Sequence, residues 1–255
     1  MRIALGIEYD GTAYNGWQRQ STGDGVQAHL EESLTRVADE AIEVTCAGRT
    51  DTGVHASGQV VHFDTASQRT ERGWLLGANS NLPDDINVTW AAAVSDDFHA
   101  RYSATSRSYR YLILNRLARS SLYRHRAWWV YDPLDAARMH RAAQRLVGEH
   151  DFTAFRAAGC QASTPVREIK SIELQRRDDW VQLEVTANAF LQHMVRNITG
   201  TLVAIGRGDE PEDWATAVLE SRDRKEGGVA APPHGLTLIG VEYPPEYALP
   251  ANPHG

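Results

Sequence analysis

The sequence has two cysteines, two lysines and no run of 18 apolar residues, and each shortage excludes something. Cys46 and Cys160 lie far apart without metal-ligand spacing, so neither a disulfide framework nor a zinc ribbon is expected and both read as small core residues. Without a long apolar segment there is no candidate membrane-spanning helix. The opening Met1-Arg2-Ile3-Ala4-Leu5-Gly6-Ile7-Glu8 alternates like a strand where a signal peptide would carry an apolar block, so the expected compartment is the cytoplasm. His55, His62, His99, His140, His150 and His193 include no pair at i, i+4 spacing with a carboxylate partner, and no metal is expected. A dinucleotide fingerprint and a P-loop lysine are also missing, so no cofactor is expected.

With Lys170 and Lys225 the only lysines, nearly every cation is arginine, whose planar fork suits phosphates and stacks on bases. Genome base composition produces the same bias. The net charge of −7 opposes a nucleic-acid partner at long range. Its distribution says otherwise: Arg101, Arg107, Arg110, Arg116, Arg119, Arg124 and Arg126 follow one another with no Asp or Glu between them, a local cationic surface on an acidic chain. At 255 residues and 42% hydrophobic content the chain can bury a core, as one large domain or two small ones.

Ile3, Leu5, Ile7 and Tyr9 fall on one face of a strand, and a turn follows at Asp10-Gly11. Val26, Leu30, Leu34 and Val37 then take helical spacing. Strands are expected at Val60–Phe63 and Ile86–Trp90, with a helix over Trp74–Asn79 between them. The second half repeats the grammar from a strand at Tyr109–Leu114. A helix capped by Asp132, with Pro133 at its first position and Asp135 in its first turn, is expected to run to Gly148. Strands at Ile169–Leu174 and Trp180–Thr186, a long helix from about Phe190 to Ile205 and a strand at Leu236–Tyr243 complete it. The expected class is α+β: two sandwiches with helices on one face of a largely antiparallel sheet, the free faces lining a shared cleft. The expected boundaries are 1–100, 101–245 and a tail over 246–255, its end from Ala251 disordered.

The densest local signal is Ala47-Gly48-Arg49-Thr50-Asp51-Thr52-Gly53-Val54-His55-Ala56-Ser57-Gly58, polar and glycine-rich between apolar strands. Arg49 close to Asp51 supplies a cation that keeps the carboxylate ionised, and an ionised, oriented carboxylate is a nucleophile; an Arg–Asp pair that merely fixes a loop has the same spelling. Asp51-Thr52-Gly53 also spells the aspartic-protease triplet. That reading fails because Arg49-Thr50 precedes the aspartate, no second copy exists, and a nearby arginine opposes the raised pKa a shared-proton dyad needs.

From end to end the chain resembles the bacterial tRNA pseudouridine synthase A family. The resemblance runs through Glu8-Tyr9-Asp10-Gly11-Thr12 with Gly16-Trp17-Gln18-Arg19-Gln20, Gly48-Arg49-Thr50-Asp51 through Gly53-Val54-His55-Ala56, and Asn81-Leu82-Pro83. It continues in Phe98-His99-Ala100-Arg101, Tyr109-Arg110-Tyr111, His150-Asp151-Phe152 and Phe190-Leu191-Gln192-His193-Met194-Val195-Arg196-Asn197. It implies two fused ferredoxin-like (RRM-like) halves, a homodimer, and conversion of uridine to pseudouridine at tRNA positions 38, 39 and 40 without a cofactor. It also implies that Asp51 is the catalytic aspartate, Arg49 the arginine beside it, Tyr109 the active-site tyrosine and Arg196 the arginine that pairs with the aspartate. Thr52 stands where alanine is common, and Ser108 where an arginine often precedes the tyrosine, which removes a possible phosphate contact.

The reaction breaks N1–C1′, turns the uracil, bonds C5 to C1′ and removes the C5 proton, so it is redox-neutral. A carboxylate can add to sugar or base, or generate a glycal; the sequence does not separate these routes. Extruding the base costs a few kcal/mol, which a stacking Tyr109 offsets in part. Tyr109 with Tyr111 and Ile113 on one strand face also reads as core. Phe190, Met194 and Ile198 form a stripe that turns Arg196 to a more polar side with Gln192, Thr199 and Gly200; a solvated arginine fits there equally. Arg19, Arg101, Arg107 and Arg110 are candidate phosphate contacts. Two other functions use the same residues: a non-catalytic RNA-binding module, indifferent to Asp51, and a nucleoside hydrolase releasing uracil.

Overall fold

The computed structural model describes residues 1–20 and 23–251. Contacts divide the chain into two compact units, Met1–Arg107 with Thr237–Gly255, and Ser108–Leu236. The elements in chain order are β1 (Arg2–Tyr9), α1 (Val26–Ala38), β2 (Thr45–Cys46), β3 (His55–Asp64), α2 (Glu71–Asn79) and β4 (Ile86–Val94). Then come β5 (Ser106–Asn115), β6 (Trp128–Val130), α3 (Ala136–Gln144), β7 (Gly148–Asp151), β8 (Val166–Arg177) and β9 (Trp180–Ala187). The chain closes with α4 (Met194–Arg207), α5 (Trp214–Ser221) and β10 (Leu236–Glu242). No helix among the described residues is long and apolar enough to cross a membrane.

In the first unit the strand order is β4-β1-β3-β10, with β2 paired to β3. β1 runs antiparallel to β3 and β4, whereas β10 joins β3 in parallel through Thr237–His55 and Leu238–Ala56, so this sheet is mixed. Ile3, Leu5 and Ile7 are buried, and so is Ala4 on the opposite face, which makes β1 a strand covered on both sides. On α1 Val26, Leu30 and Leu34 are fully buried at helical spacing. Thr70 caps α2 by accepting from the Gly73 amide at 3.0 Å.

The division falls later than residue 100, and the last strand lies with the amino-terminal residues instead of the second half. Residues 101–107 are held there because the Thr105 amide donates to Glu242 O (2.9 Å being typical, here 2.8 Å) and Arg107 donates to Ala47 O at 3.1 Å. The expected tail is ordered as far as residue 251. Tyr247 packs edge-on against Phe98 at 5.0 Å and Leu249 joins the same cluster. Residues 252–255 of that tail lie outside the described residues.

In the second unit the order is β5-β9-β8-β7, with β6 parallel to β5. Helix α3 starts later than its sequence signals: Asp135, not Asp132, is the cap, accepting from the Arg138 amide at 2.9 Å, and Pro133 precedes the helix. It ends at Gln144, and Gly148, with φ of 104°, opens β7 instead of closing the helix. α4 likewise starts at Met194, because His193 before it takes a left-handed φ of 61°. Short β7 and α5 carry patterns too brief to separate from loop by periodicity, and the sequence reading contains neither.

Candidate active site

The loop between β2 and β3 is anchored at each end. Ala47 donates to Val60 O at 2.8 Å. Fully buried Gln59 clasps Gly48 from both sides, its amide nitrogen donating to Gly48 O at 2.5 Å and its oxygen accepting from the Gly48 amide at 3.3 Å. Buried Thr50 follows, its carbonyl accepting from the Trp17 amide at 3.0 Å and its hydroxyl 2.8 Å from the Tyr9 phenol oxygen. Asp51 then opens a tight turn in which Val54 donates to Asp51 O at 3.1 Å and Gly53 holds a φ of 76°. The Asp51 side chain is half-buried at the head of this turn.

Against the loop lies the segment after β1. A Cβ on Gly11 would sit 2.0 Å from Val54 O, and one on Gly16 2.7 Å from Thr50 O, so both positions admit only glycine without a backbone shift. His55 pins the same junction: its Nδ1 is 3.0 Å from the Gly11 amide nitrogen and 3.0 Å from Asp10 Oδ1. One nitrogen serves one of these at a time, as acceptor for the amide or, protonated, as donor to the carboxylate. In the sequence His55 stands out as part of the Ala47–Gly58 stretch and of the family-like Gly53-Val54-His55-Ala56, with no role of its own. Its pinning role was hidden because Gly11 and His55 are far apart in the chain. Arg49, expected beside Asp51, is exposed, where water weakens its pull on any carboxylate.

In the second unit Tyr109 is 8% exposed and meets Phe190 edge-to-face at 5.0 Å and 86°. It shares its strand face with fully buried Tyr111 and Ile113. Tyr111 donates to Pro232 O at 2.7 Å, and burial holds its phenol well above the ordinary range. The Ser108 hydroxyl, at the position where an arginine is common, bonds across the sheet to the Thr186 hydroxyl at 2.8 Å.

Arg196 lies in the first turn of α4. Its Nε donates to Ala231 O at 2.8 Å, and the Ala231 amide returns a bond to Arg196 O at 3.0 Å. The more polar side expected around it is not solvent-facing. Thr199 and Gly200 are buried, because a Cβ on Gly200 would fall 1.8 Å from Val229 O and the helix is wrapped by that segment. Arg196 is the half-buried exception in a run that is otherwise buried from Met194 to Val203.

Three of the four candidate phosphate contacts are engaged within the protein. Arg107 donates to the carbonyls of Ala47, Ala104 and Arg101, Arg110 pairs with Glu184 at 2.7 Å, and Arg19 with Glu31 at 3.0 Å. Arg101 is exposed and sits over the Tyr102 ring at 5.6 Å. Among the described residues no group of three His, Cys, Asp or Glu side chains could hold a metal ion.

The sequence matches the family described as tRNA pseudouridine synthase over residues 6–103 and 142–244. It is 56% identical to tRNA pseudouridine synthase A of Coxiella burnetii (strain Dugway 5J108-111) over 100% of this chain and 97% of that one. Identity is 56% to the protein of the same name from Pseudoalteromonas atlantica, over 98% of this chain and 95% of that one. It is 54% to that of Shewanella amazonensis, over 98% and 96%. Among solved structures, a chain of an H/ACA ribonucleoprotein bound to a substrate RNA containing 2′-deoxyuridine aligns with 79% of this chain and 44% of its own, at a TM-score of 0.39 and 9% identity.

Proposed function

The chain belongs to the tRNA pseudouridine synthase family, and from that premise we propose that it isomerises uridine to pseudouridine at positions 38, 39 and 40 of the tRNA anticodon arm, with Asp51 as the reacting carboxylate. One observation carries the assignment of Asp51. Its turn is fixed by Thr50, Val54, Gly11 and Gly16 together, a degree of backbone constraint that a surface loop does not need. Pre-positioning is what the chemistry asks for: the N1–C1′ bond breaks, C5–C1′ forms, the C5 proton leaves and N1 gains a proton, with no external group consumed.

Tyr109 acts as the aromatic platform for the extruded uracil, its edge-on partner Phe190 holding the ring in place. Arg196, held by Ala231, and Arg49 supply cationic binding groups. The first unit supports the ferredoxin-like reading, since β1-α1-β2-β3-α2-β4 folds with the strand order β4-β1-β3-β2. A cytoplasmic homodimer completes the proposal; sedimentation at working concentration giving a monomer would remove the second copy.

The test is tritium release from tRNA labelled at uridine C5, with wild type and Asp51→Asn and no metal or nucleotide added. Release by wild type alone is expected. Equal release by both would move the chemistry to another residue. No release by either, with tRNA bound, would favour a non-catalytic RNA-binding module, and free uracil in the products a hydrolase.

A further inference from the structure

Between the end of β5 and the start of α3 the chain runs out into solvent. Leu117 is 77% exposed, Leu122 87% and Tyr123 46%, and along and beside β6 Trp129 is 40% and Tyr131 57% exposed. Arg116, Arg119, Arg124 and Arg126 are exposed among them. From 116 to 131 there is no carboxylate, on a chain whose net charge is −7. The arm lies between the two stretches that match the family model.

It is nonetheless well held. The Trp129 indole donates to Arg116 O at 2.9 Å, and Tyr123 meets Trp180 edge-on at 4.8 Å. Arg126 and Ala127 both donate to Tyr123 O, at 3.0 and 3.1 Å. At the base, buried Asn115 donates to Val130 O and Asp132 O at 2.9 and 2.7 Å. Apolar and aromatic side chains so exposed on a fixed scaffold mark a surface that something covers.

Charge decides what covers it. A second copy laying its own arm on this one about a shared twofold axis would set arginine against arginine with no carboxylate within either arm, Arg116 pairing outside it with Asp179 at 3.5 Å. RNA meets both features at once: arginines replace the counterions of its phosphates, and aromatic and aliphatic faces take ribose and unpaired bases. Resting on the proposed activity, we propose that residues 116–131 form a tRNA-docking arm that grips the sugar–phosphate backbone away from the target uridine and sets KM more than kcat.

The test compares Arg119→Glu/Arg124→Glu with wild type in tritium release from full-length tRNA over a salt series. Both side chains are exposed, and circular dichroism with a thermal melt checks the fold. The expected result is a KM raised roughly 10-fold or more at low salt, kcat within about two-fold, and a salt slope shallower by about 2 because two phosphate contacts are gone. Arg119→Lys/Arg124→Lys, which keeps the charge, should recover most of the KM. Wild-type activity with unchanged KM in the glutamate variant overturns the arm and leaves the activity standing; a wild type that releases no tritium overturns the activity itself. Conversion of a wild-type dimer to monomer by the glutamate pair would assign the arm to a second copy and also overturn the proposal.

Discussion

At the scale of single residues, the constrained loop that carries Asp51 was readable because it is spelled out within twelve consecutive letters. What fixes that loop was not, because Gly11 and Gly16 press on it from about 35 to 45 residues earlier and His55 holds it by its bond to the distant Gly11 amide. Gly11→Ala should therefore cost about 2–4 kcal/mol in urea unfolding, since its methyl would stand 2.0 Å from Val54 O and the turn behind Asp51 must move to admit it. Tritium release should fall with it; an unchanged midpoint and rate would mean the turn has slack. His62 offers a different readout. It is buried, accepts from the Ala100 amide at 3.1 Å and meets the His99 ring at 4.8 Å with a tilt of 59°, with Arg2 and Asp64 nearby. Burial first, then the Arg2 cation, pushes its pKa down to about 4. The unfolded chain takes up that proton near pH 6.5 while the folded one refuses it, so stability is lost as pH falls from about 6.5 to about 4. Allowing for water screening, the loss is about 2 kcal/mol. Unfolding free energies at pH 7 and pH 4.5 should differ by that much more in wild type than in His62→Gln, and equal differences would show that the imidazole titrates normally.

At the scale of elements, long periodic segments read correctly, as did the starts of α1, β4, β9 and β10, whereas the starts of α3 and α4 did not. The stripe Val26, Leu30, Leu34 is the buried face of α1, but the cap of α3 was assigned three residues early, because Asp132, Pro133 and Asp135 all carry start signals and only Asp135 reaches a free amide. For α4 the one-faced pattern misled: the helix is buried on nearly every side, so polar Thr199 and small Gly200 are interior residues. Gly200→Ala should lower the melting temperature steeply, by about 2–4 kcal/mol of stability, as Val229 O lies 1.8 Å from the added carbon and the 228–231 segment that holds Arg196 must lift. Gly240 in β10 is the control. No atom lies within 4 Å of its added Cβ, so Gly240→Ala should stabilise by about 0.4–1 kcal/mol through the unfolded chain's lost freedom. Equal effects at the two glycines would contradict the packing seen around α4.

At the scale of the molecule, the end of the chain returns to cover the sheet of the unit in which it began. Tyr243 meets Phe98 at 5.1 Å and donates to Ala100 O at 2.6 Å, Tyr247 meets Phe98 at 5.0 Å, and Leu249 packs against the same cluster of Ala4, Val60 and Phe98. A cavity of about 250 Å³ remains under this strap, lined by Gly6, Trp90, Tyr243 and Leu249. Composition made the end beyond residue 245 look like a tail, since proline-rich polar termini usually are; nothing local announces that Tyr247 and Leu249 return to a sheet face formed by Ala4, Val60 and Phe98 much earlier in the chain. Ending the chain after Tyr243 uncovers Phe98 and Trp90, and the loss of two partly buried apolar side chains should lower stability by about 2–4 kcal/mol. The turn bearing Asp51 keeps its own anchors in Gly11, Gly16 and Thr50, so the truncated protein at 20 °C should retain its kcat while unfolding at lower urea. Should kcat fall in step with stability instead, the strap would be part of what orders the turn bearing Asp51, and the reach of Ala47 into the same cluster would be the route.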